Sequence, residues 1–371
     1  MANYVGYDSV NDSLQDSGTT NDFFNGKSGD DYLTSNGGSD NMNGGLGADY
    51  LIAYANQYYN PGNSNSQGDT MSGGDGNDTI IAAAEDVNSI LGGAGNDDIQ
   101  VTWYPGDTLQ ASGAGTQTIS GGSGDDTVIS FAGLNSTVAG NYITGDGGND
   151  DITVYYGDNT LEGGTGNDDI VSYGDDDSID GGDGADWISA TYGNDTVYGG
   201  TGNDYMENVV GGLATLDGND LMVGGDGADT ISGGNGSDTI WAADLGGAQD
   251  AQIDKIFFDD AMYPYAGGDG DTDYLGLVFT SGAALDKLYG AVSGQDAIIV
   301  YYDDAVYTNA ALRLVNVTMD FDGDGNTESV QRAQFSADLV GGGSLAWSGF
   351  LNLDPFDSTT LSTSDFALVA I

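Results

Sequence analysis

The chain has 371 residues, with 64 glycines and 59 acidic residues against five basic ones, for a formal net charge of −54. Such a charge makes a compact state repel itself unless cations bind, and it excludes nucleic acid and anionic membranes as partners because no basic patch can form. Histidine and cysteine are both absent, which removes imidazole catalysis, Ser-His-Asp and Cys-His nucleophiles, disulfides and ordinary zinc sites. The ligands left are carboxylates and backbone carbonyls, hard oxygens that suit calcium rather than a transition metal.

From the N-terminus, Met1-Ala2-Asn3-Tyr4-Val5-Gly6-Tyr7 shows neither a basic nor an apolar leader segment. No stretch of the chain is apolar and long enough to span a bilayer, so membrane insertion is not expected. Repeats begin almost at once, with weak units at Asn11-Asp12-Ser13-Leu14 and Asn21-Asp22-Phe23-Phe24. The nonamer Gly-Gly-x-Gly-x-Asp-x-U-x, where U is a large apolar residue, then starts unbroken at Gly44, Gly73, Gly92, Gly121, Gly163, Gly181, Gly199, Gly224 and Gly233. Near-matches start at Gly26 and Gly145, where Lys27 and Asp146 replace the second glycine.

Each position of the nonamer has a physical reading. The glycines permit positive φ and close approach of carbonyls to an ion. The Asp adds a charged oxygen, and x-U-x is a short strand whose middle side chain points inward. That predicts a core column of Leu33, Leu51, Ile80, Ile99, Val128, Ile152, Leu161, Ile170, Ile179, Ile188, Val197, Met206, Ile231 and Ile240. One apolar residue per nonamer is a sparse core. Burying it contributes roughly 1.5–3 kcal/mol, while ordering nine residues costs about 1–2 kcal/mol each, so ion binding has to close the gap.

With these residues in view, the segment from about residue 7 to 275 resembles the RTX family of calcium-binding repeats. The resemblance implies an all-β fold, a right-handed parallel β-roll with two nonamers per coil and calcium between stacked turns. The implied carboxylate ligands are Asp31, Asp49, Asp78, Asp97, Asp126, Asp150, Asp168, Asp186, Asp204, Asp229 and Asp238, with Asp177, Asp195 and Asp220 in the weaker nonamers. The implied turn ligands include Gly163, Thr165, Gly181, Asp183, Gly199, Thr201, Gly224, Asp226, Gly233 and Asn235. Family members are typically exported unfolded by type I secretion and fold on external calcium. Leu361–Ile371, an Asp-Phe followed by an apolar tail, resembles the uncleaved C-terminal export signal of that route.

In the regular middle, intact or near-intact turns recur every eighteen residues at Gly145, Gly163, Gly181 and Gly199, which stacks them on one edge of a two-nonamer coil. The other edge receives degenerate turns carrying Tyr155, Tyr156, Tyr173 and Tyr192. Insertions at Ala53–Asn63, Ser130–Asn135 and Asn208–Ala214 each precede a degenerate turn, and the register slips again ahead of Gly121. One edge is therefore expected to be a calcium ladder and the other a tyrosine-rich contact edge.

Beyond Gly267–Leu275, a final irregular repeat, glycine thins and β-rich runs appear at Ala297–Tyr302 and Leu312–Met319. Residues 1–252 are expected to form the roll, and 253–371 the last repeat and an antiparallel β cap for the open coil. Within the cap, Asp320, Asp322, Asp324 and Glu328 form a DxDxDG loop suited to a further calcium ion. A repeat-plus-cap chain without catalytic residues is expected to be a secreted structural subunit at the cell surface. It would self-associate as a homo-oligomer or polymer into a surface layer, filament or matrix. The alternatives are a calcium-dependent adhesin, with cell-surface polysaccharide or protein as partner, and a calcium-dependent polysaccharide-active enzyme using paired carboxylates.

Overall fold

In a computed structural model, the described residues are 2–16, 20–36, 38–54, 68–83, 88–102, 116–131, 139–207, 218–234 and 238–241. Further on, they are the strands at 255–257, 274–278, 286–289, 297–302, 307–319, 328–339, 344–353 and 366–370. The chain divides into two units, Met1–Asp183 and Gly184–Ile371.

In the first unit the strands alternate between two parallel sheets. One takes Asn3–Val5, Phe23–Ser28, Asn41–Leu46, Thr70–Asp75, Ser89–Ala94, Thr118–Ser123, Ala139–Gly147, Asp158–Thr165 and Ser178–Asp183 in chain order. The other takes Ser13–Gln15, Tyr32–Asn36, Tyr50–Tyr54, Thr79–Ala83, Asp98–Thr102, Thr127–Phe131, Asp151–Tyr155 and Asp169–Tyr173. Each strand pairs with the strand two elements on, as in Ile99↔Val128 and Leu161↔Ile179. This is the two-nonamer coil of a parallel β-roll.

All the expected core residues are buried, with no more than 1% of their surface exposed. The core is richer than one apolar residue per nonamer. Phe24, Met42, Met71, Ile90, Ile119 and Ile143 fill the matching column of the first sheet. The second sheet also turns a further residue inward, Val101 or Val154 in some coils and Ala53 or Ala82 in others. These strands extend one inward position beyond U, as strict alternation requires. Against water they present the rows Phe131, Tyr155 and Tyr173 and Tyr32 and Tyr50, whose rings stack from coil to coil.

The second unit continues the pattern, with Thr196–Thr201, Leu221–Asp226 and Thr239–Trp241 in one sheet and Trp187–Ala190, Tyr205–Glu207 and Thr230–Ser232 in the other. The sequence places the change of architecture near residue 253, but parallel pairing runs further. Lys255–Phe257 pairs with Thr230–Ser232, Tyr274–Val278 with Thr239–Trp241, and Ala297–Tyr302 with Tyr274–Val278. Antiparallel pairing is confined to Tyr307–Met319, Glu328–Leu339 and Ser344–Leu353. The apolar residues Ile256, Leu275 and Ile298 stay in register with Ile231 and Ile240 of the preceding strands. Phe366–Ala370, in the segment resembling an export signal, pairs in parallel with Ala297–Tyr302.

Candidate metal centre

The glycine turns place one carboxylate per coil on a single edge. In the first unit, the backbone N–H of each turn Asp donates to Oδ1 of the Asp in the next coil. The ladder runs Asp31 to Asp49, Asp49 to Asp78, Asp78 to Asp97, Asp97 to Asp126, Asp126 to Asp150 and Asp150 to Asp168, with distances of 2.7–2.8 Å. In the second unit Asp186 donates to Asp204, and Asp204 to Asp229, both at 2.9 Å. An outer ladder runs the opposite way along the same turns: Asn96 N–H donates to Asn77 Oδ1, Asp125 to Asn96, Asn149 to Asp125 and Asn167 to Asn149. Every coil is thus tied to both neighbours by side-chain acceptors.

Only one oxygen of each inner carboxylate is used in this way. Oδ2 of Asp31, Asp49, Asp78, Asp97, Asp126, Asp150 and Asp204 is buried and has no hydrogen-bond partner. Leaving such an atom unsatisfied costs about 1–3 kcal/mol, and more when it is charged. The orphan oxygens point at the first glycine of their own turn. A methyl group added to Gly121 would lie 2.5 Å from Asp126 Oδ2 and 2.9 Å from the Gly145 carbonyl oxygen, and one added to Gly199 would lie 2.6 Å from Asp204 Oδ2 and 2.5 Å from the Gly224 carbonyl. A carboxylate oxygen and a carbonyl of the next coil therefore converge on a space that only glycine leaves open.

Burial dominates the electrostatics of this edge. It pushes the carboxyls of Asp49, Asp97 and Asp150 up to about 7 and those of Asp126 and Asp204 up to about 6, with neighbouring carboxylates adding to the shift at Asp49, Asp97, Asp126 and Asp150 and backbone donors opposing it throughout. No cationic side chain is among the causes of these shifts. The ion pair seen among the described residues is the exposed contact of Lys27 with Asp8. Hard, crowded, under-satisfied oxygens fit a divalent oxygen-liganded cation. No cluster of three acidic side chains occurs among the described residues, so each site would combine carboxylate and backbone oxygens.

The sequence-derived candidates separate into groups. Asp31, Asp49, Asp78, Asp97, Asp126, Asp150 and Asp168 share the first edge of one unit, as Asp186, Asp204 and Asp229 do in the other. Asp177, by contrast, lies on the opposite edge of the first unit, and Asp195, Asp220 and Asp238 form the corresponding ladder of the second. Asp238 comes from an unbroken nonamer, yet it follows Asp229 by half a coil. The carbonyls of Thr165, Asp183, Thr201 and Asp226 accept coil-to-coil bonds from Gly148, Gly166, Gly184 and Gly202. Gly163, Gly181, Gly199 and Gly224 lie near the ends of the strands Asp158–Thr165, Ser178–Asp183, Thr196–Thr201 and Leu221–Asp226, and Gly233 follows Thr230–Ser232. Asn235, Asp320, Asp322 and Asp324 lie outside the described residues. Glu328 starts a strand, and its side chain lies outside them too.

The opposite edge begins at Asp22, in one of the weak units, and continues through rungs outside the nonamer matches, Asp40, Asp69, Asn88, Gln117, Asn141 and Asn159, leading to Asp177. Each lies one nonamer before a first-edge Asp, so counting back nine residues would have found them. Successive rungs are 18, 29, 19, 29, 24 and 18 residues apart on both edges. The segment leading into each glycine turn is therefore constant, and all inserted length falls on the way to the opposite edge.

Stacked parallel sheets, glycine turns and a ladder of buried, half-satisfied carboxylates define a cation-stabilised parallel β-roll. The RTX calcium-binding nonapeptide repeat matches residues 16–51, 64–99, 112–140, 144–179, 153–188, 180–207 and 215–244. The chain belongs to this family, whose repeats bind calcium ions at multiple sites. Comparison with curated proteins gives no match.

Proposed function

We propose that this is a secreted structural protein that folds on meeting external calcium and then self-associates into a surface layer, filament or matrix. The observation that carries the reading is the first-edge row of buried carboxylate oxygens without partners. In the metal-free chain they oppose folding, and bound calcium supplies the charge they lack. The residues that would hold the ions are Asp31, Asp49, Asp78, Asp97, Asp126, Asp150 and Asp168 in the first unit and Asp186, Asp204 and Asp229 in the second, with carbonyls of the glycine turns. Type I export of an unfolded chain suits a protein whose folding waits for millimolar calcium outside the cell.

Support for self-association comes from the exposed face of the second sheet. Tyr155 stacks on Phe131 at 4.5 Å and on Tyr173 at 5.1 Å, and Tyr156 and Tyr173 are 42% and 38% exposed. Rigid aromatic side chains offer contact area at little entropic cost. The same face would serve an adhesin binding a polysaccharide or protein, which is the second reading. Calcium titration followed by circular dichroism and electron microscopy separates the two. Ordered polymers above the folding transition support a structural subunit, folded monomers support an adhesin, and the absence of any transition overturns both. The quadruple substitution of Tyr155, Tyr156, Tyr173 and Tyr192 by Ser should abolish polymers while leaving the folding transition in place.

A further inference from the structure

The two edges of the first unit are built from different chemistry, and this bears on where calcium binds. On the first edge every rung from Asp31 to Asp168 is a carboxylate. On the opposite edge four consecutive rungs are amides: Asn88, Gln117, Asn141 and Asn159. Each still accepts the backbone N–H of the preceding coil, so the ladder is unbroken. The amides differ in their second polar atom, which is a donor where Asp has a bare oxygen.

The donors of Asn88, Asn141 and Asn159 are in use. Asn88 Nδ2 donates to the Ala83 carbonyl at 2.9 Å. Asn159 Nδ2 donates to the Gly157 carbonyl at 2.9 Å, to Tyr156 O at 3.2 Å and to Asp177 Oδ1 at 3.0 Å, while Asn141 Nδ2 donates to Asn159 Oδ1 at 3.3 Å. At Asn88 and Asn159, carbonyls of the turn that could face an ion are thus already bonded to amide N–H groups. Where the acid returns, at Asp177, its Oδ2 accepts the Ser172 hydroxyl at 2.6 Å.

We infer that the coils of Asn88, Gln117, Asn141 and Asn159 bind calcium on the glycine edge only, and that on the opposite edge the side-chain amide stands in for the ion. This rests on the calcium-ladder reading above and narrows it to one edge of these coils. An amide rung holds its turn by bonds internal to the chain, at any calcium concentration. The first-edge rungs Asp49, Asp78, Asp97, Asp126 and Asp150 cannot do so, because their second oxygen is buried without a donor. Two of the insertions fall directly ahead of amide rungs, between Asp97 and Gln117 and between Asp126 and Asn141, while a third precedes the carboxylate Asp69 of the same edge. Turns that need not stack to enclose an ion are free to vary in length.

The test is bound calcium per full-length chain, measured by equilibrium dialysis with the metal alone. Asp126→Asn and Asp150→Asn should each bind fewer ions than wild type. Asn159→Ser and Asn141→Ser should bind the wild-type number while requiring more calcium to fold. Loss of as many ions from Asn159→Ser as from Asp150→Asn overturns the inference. Should a variant fail to fold, the crystal structure of the calcium-loaded wild type decides by anomalous scattering. Ions between glycine turns alone support the inference, and an ion on the Tyr156 or Gly157 carbonyl overturns it. Failure of the wild type to bind any calcium would instead overturn the calcium-ladder reading itself.

Discussion

Replacing Asp97 by asparagine separates the two roles of a first-edge carboxylate. Oδ1 of Asp97 accepts the Asp78 N–H at 2.8 Å, and an amide oxygen can do the same, as Asn141 does for Gln117 on the other edge. Oδ2 is buried without a partner, and burial, with the neighbouring carboxylates Asp126 and Asp78 adding to it, pushes the carboxyl up to about 7. The amide nitrogen of the variant would face the Gly121 carbonyl, which lies against the same open side of Gly92 as Oδ2 does. In EGTA at pH 8 the substitution should therefore stabilise the fold by about 1–3 kcal/mol, the cost of one unsatisfied buried group. In calcium the sign reverses. Loss of one site at a thousandfold excess over its dissociation constant removes roughly 4.1 kcal/mol, which outweighs the gain and leaves the variant about 1–3 kcal/mol less stable than wild type. The assay is urea unfolding in calcium, and refolding by trimethylamine oxide in EGTA, each followed by circular dichroism. Asp97→Ala, which removes the ladder acceptor as well, should destabilise under both conditions. An Asp97→Asn variant that is weaker in EGTA, or unchanged in calcium, would refute the assignment of Oδ2 as the calcium-facing atom.

The raised carboxyls fix a pH dependence for the metal-free chain. Asp49, Asp97 and Asp150 near 7, and Asp126 and Asp204 near 6, against 3.8 ordinarily, hold more protons folded than unfolded. Stability without calcium should then be fully present below about pH 4 and decline as pH rises through 6–7; a pH series of far-UV spectra in EGTA checks this. Calcium requires the ionised form, so the half-saturating concentration should fall over the same interval, as a titration at pH 5.5 and 8 would show. Ile152 is fully buried, and Ile152→Ala should cost about 2–5 kcal/mol in urea unfolding with calcium present. Gly122 has φ of +116°, and an added methyl would meet the Gly93 backbone N at 3.0 Å; Gly122→Ala should cost at least the roughly 1–2 kcal/mol of a left-handed residue. Lys27 already sits at φ of +79° in the equivalent position, so Lys27→Gly should be neutral or stabilising by up to about 1 kcal/mol in the same experiment.

The nonamer made the roll legible because each of its positions has one physical duty. U marked Leu33, Ile80 and Ile170 as core, and the sixth-position Asp marked the first-edge ladder. The second inward position, held by Val101 in one coil and Ser130 in another, has no fixed residue type and so left no signal. The amide rungs were hidden for a related reason. Asn88, Gln117 and Asn141 keep only an acceptor in common with Asp, and the insertions before them break the spacing that would have aligned them. Parallel pairing beyond residue 252 was obscured because the strands at Lys255–Phe257, Tyr274–Val278 and Ala297–Tyr302 keep an apolar residue in register without an unbroken nonamer to mark it.

The division of labour between the edges follows from what holds each turn. An ion held between stacked turns needs the same oxygens at the same height in adjacent coils, so any change of length there would remove ligands from two sites at once. Gly-Gly-x-Gly-x-Asp is therefore kept nearly invariant at one end of every coil, from Gly26 to Gly224. An amide rung asks only for one N–H below and one carbonyl nearby. Asn88 uses Ala83 and Asn159 uses Gly157, in turns of different length and sequence. That tolerance suits the insertions ahead of Gln117 and Asn141, and the insertion ahead of Asp69 shows that length on this edge also varies before a carboxylate rung. A roll that binds calcium along one edge and varies along the other can retain one folding trigger while its contact surface changes.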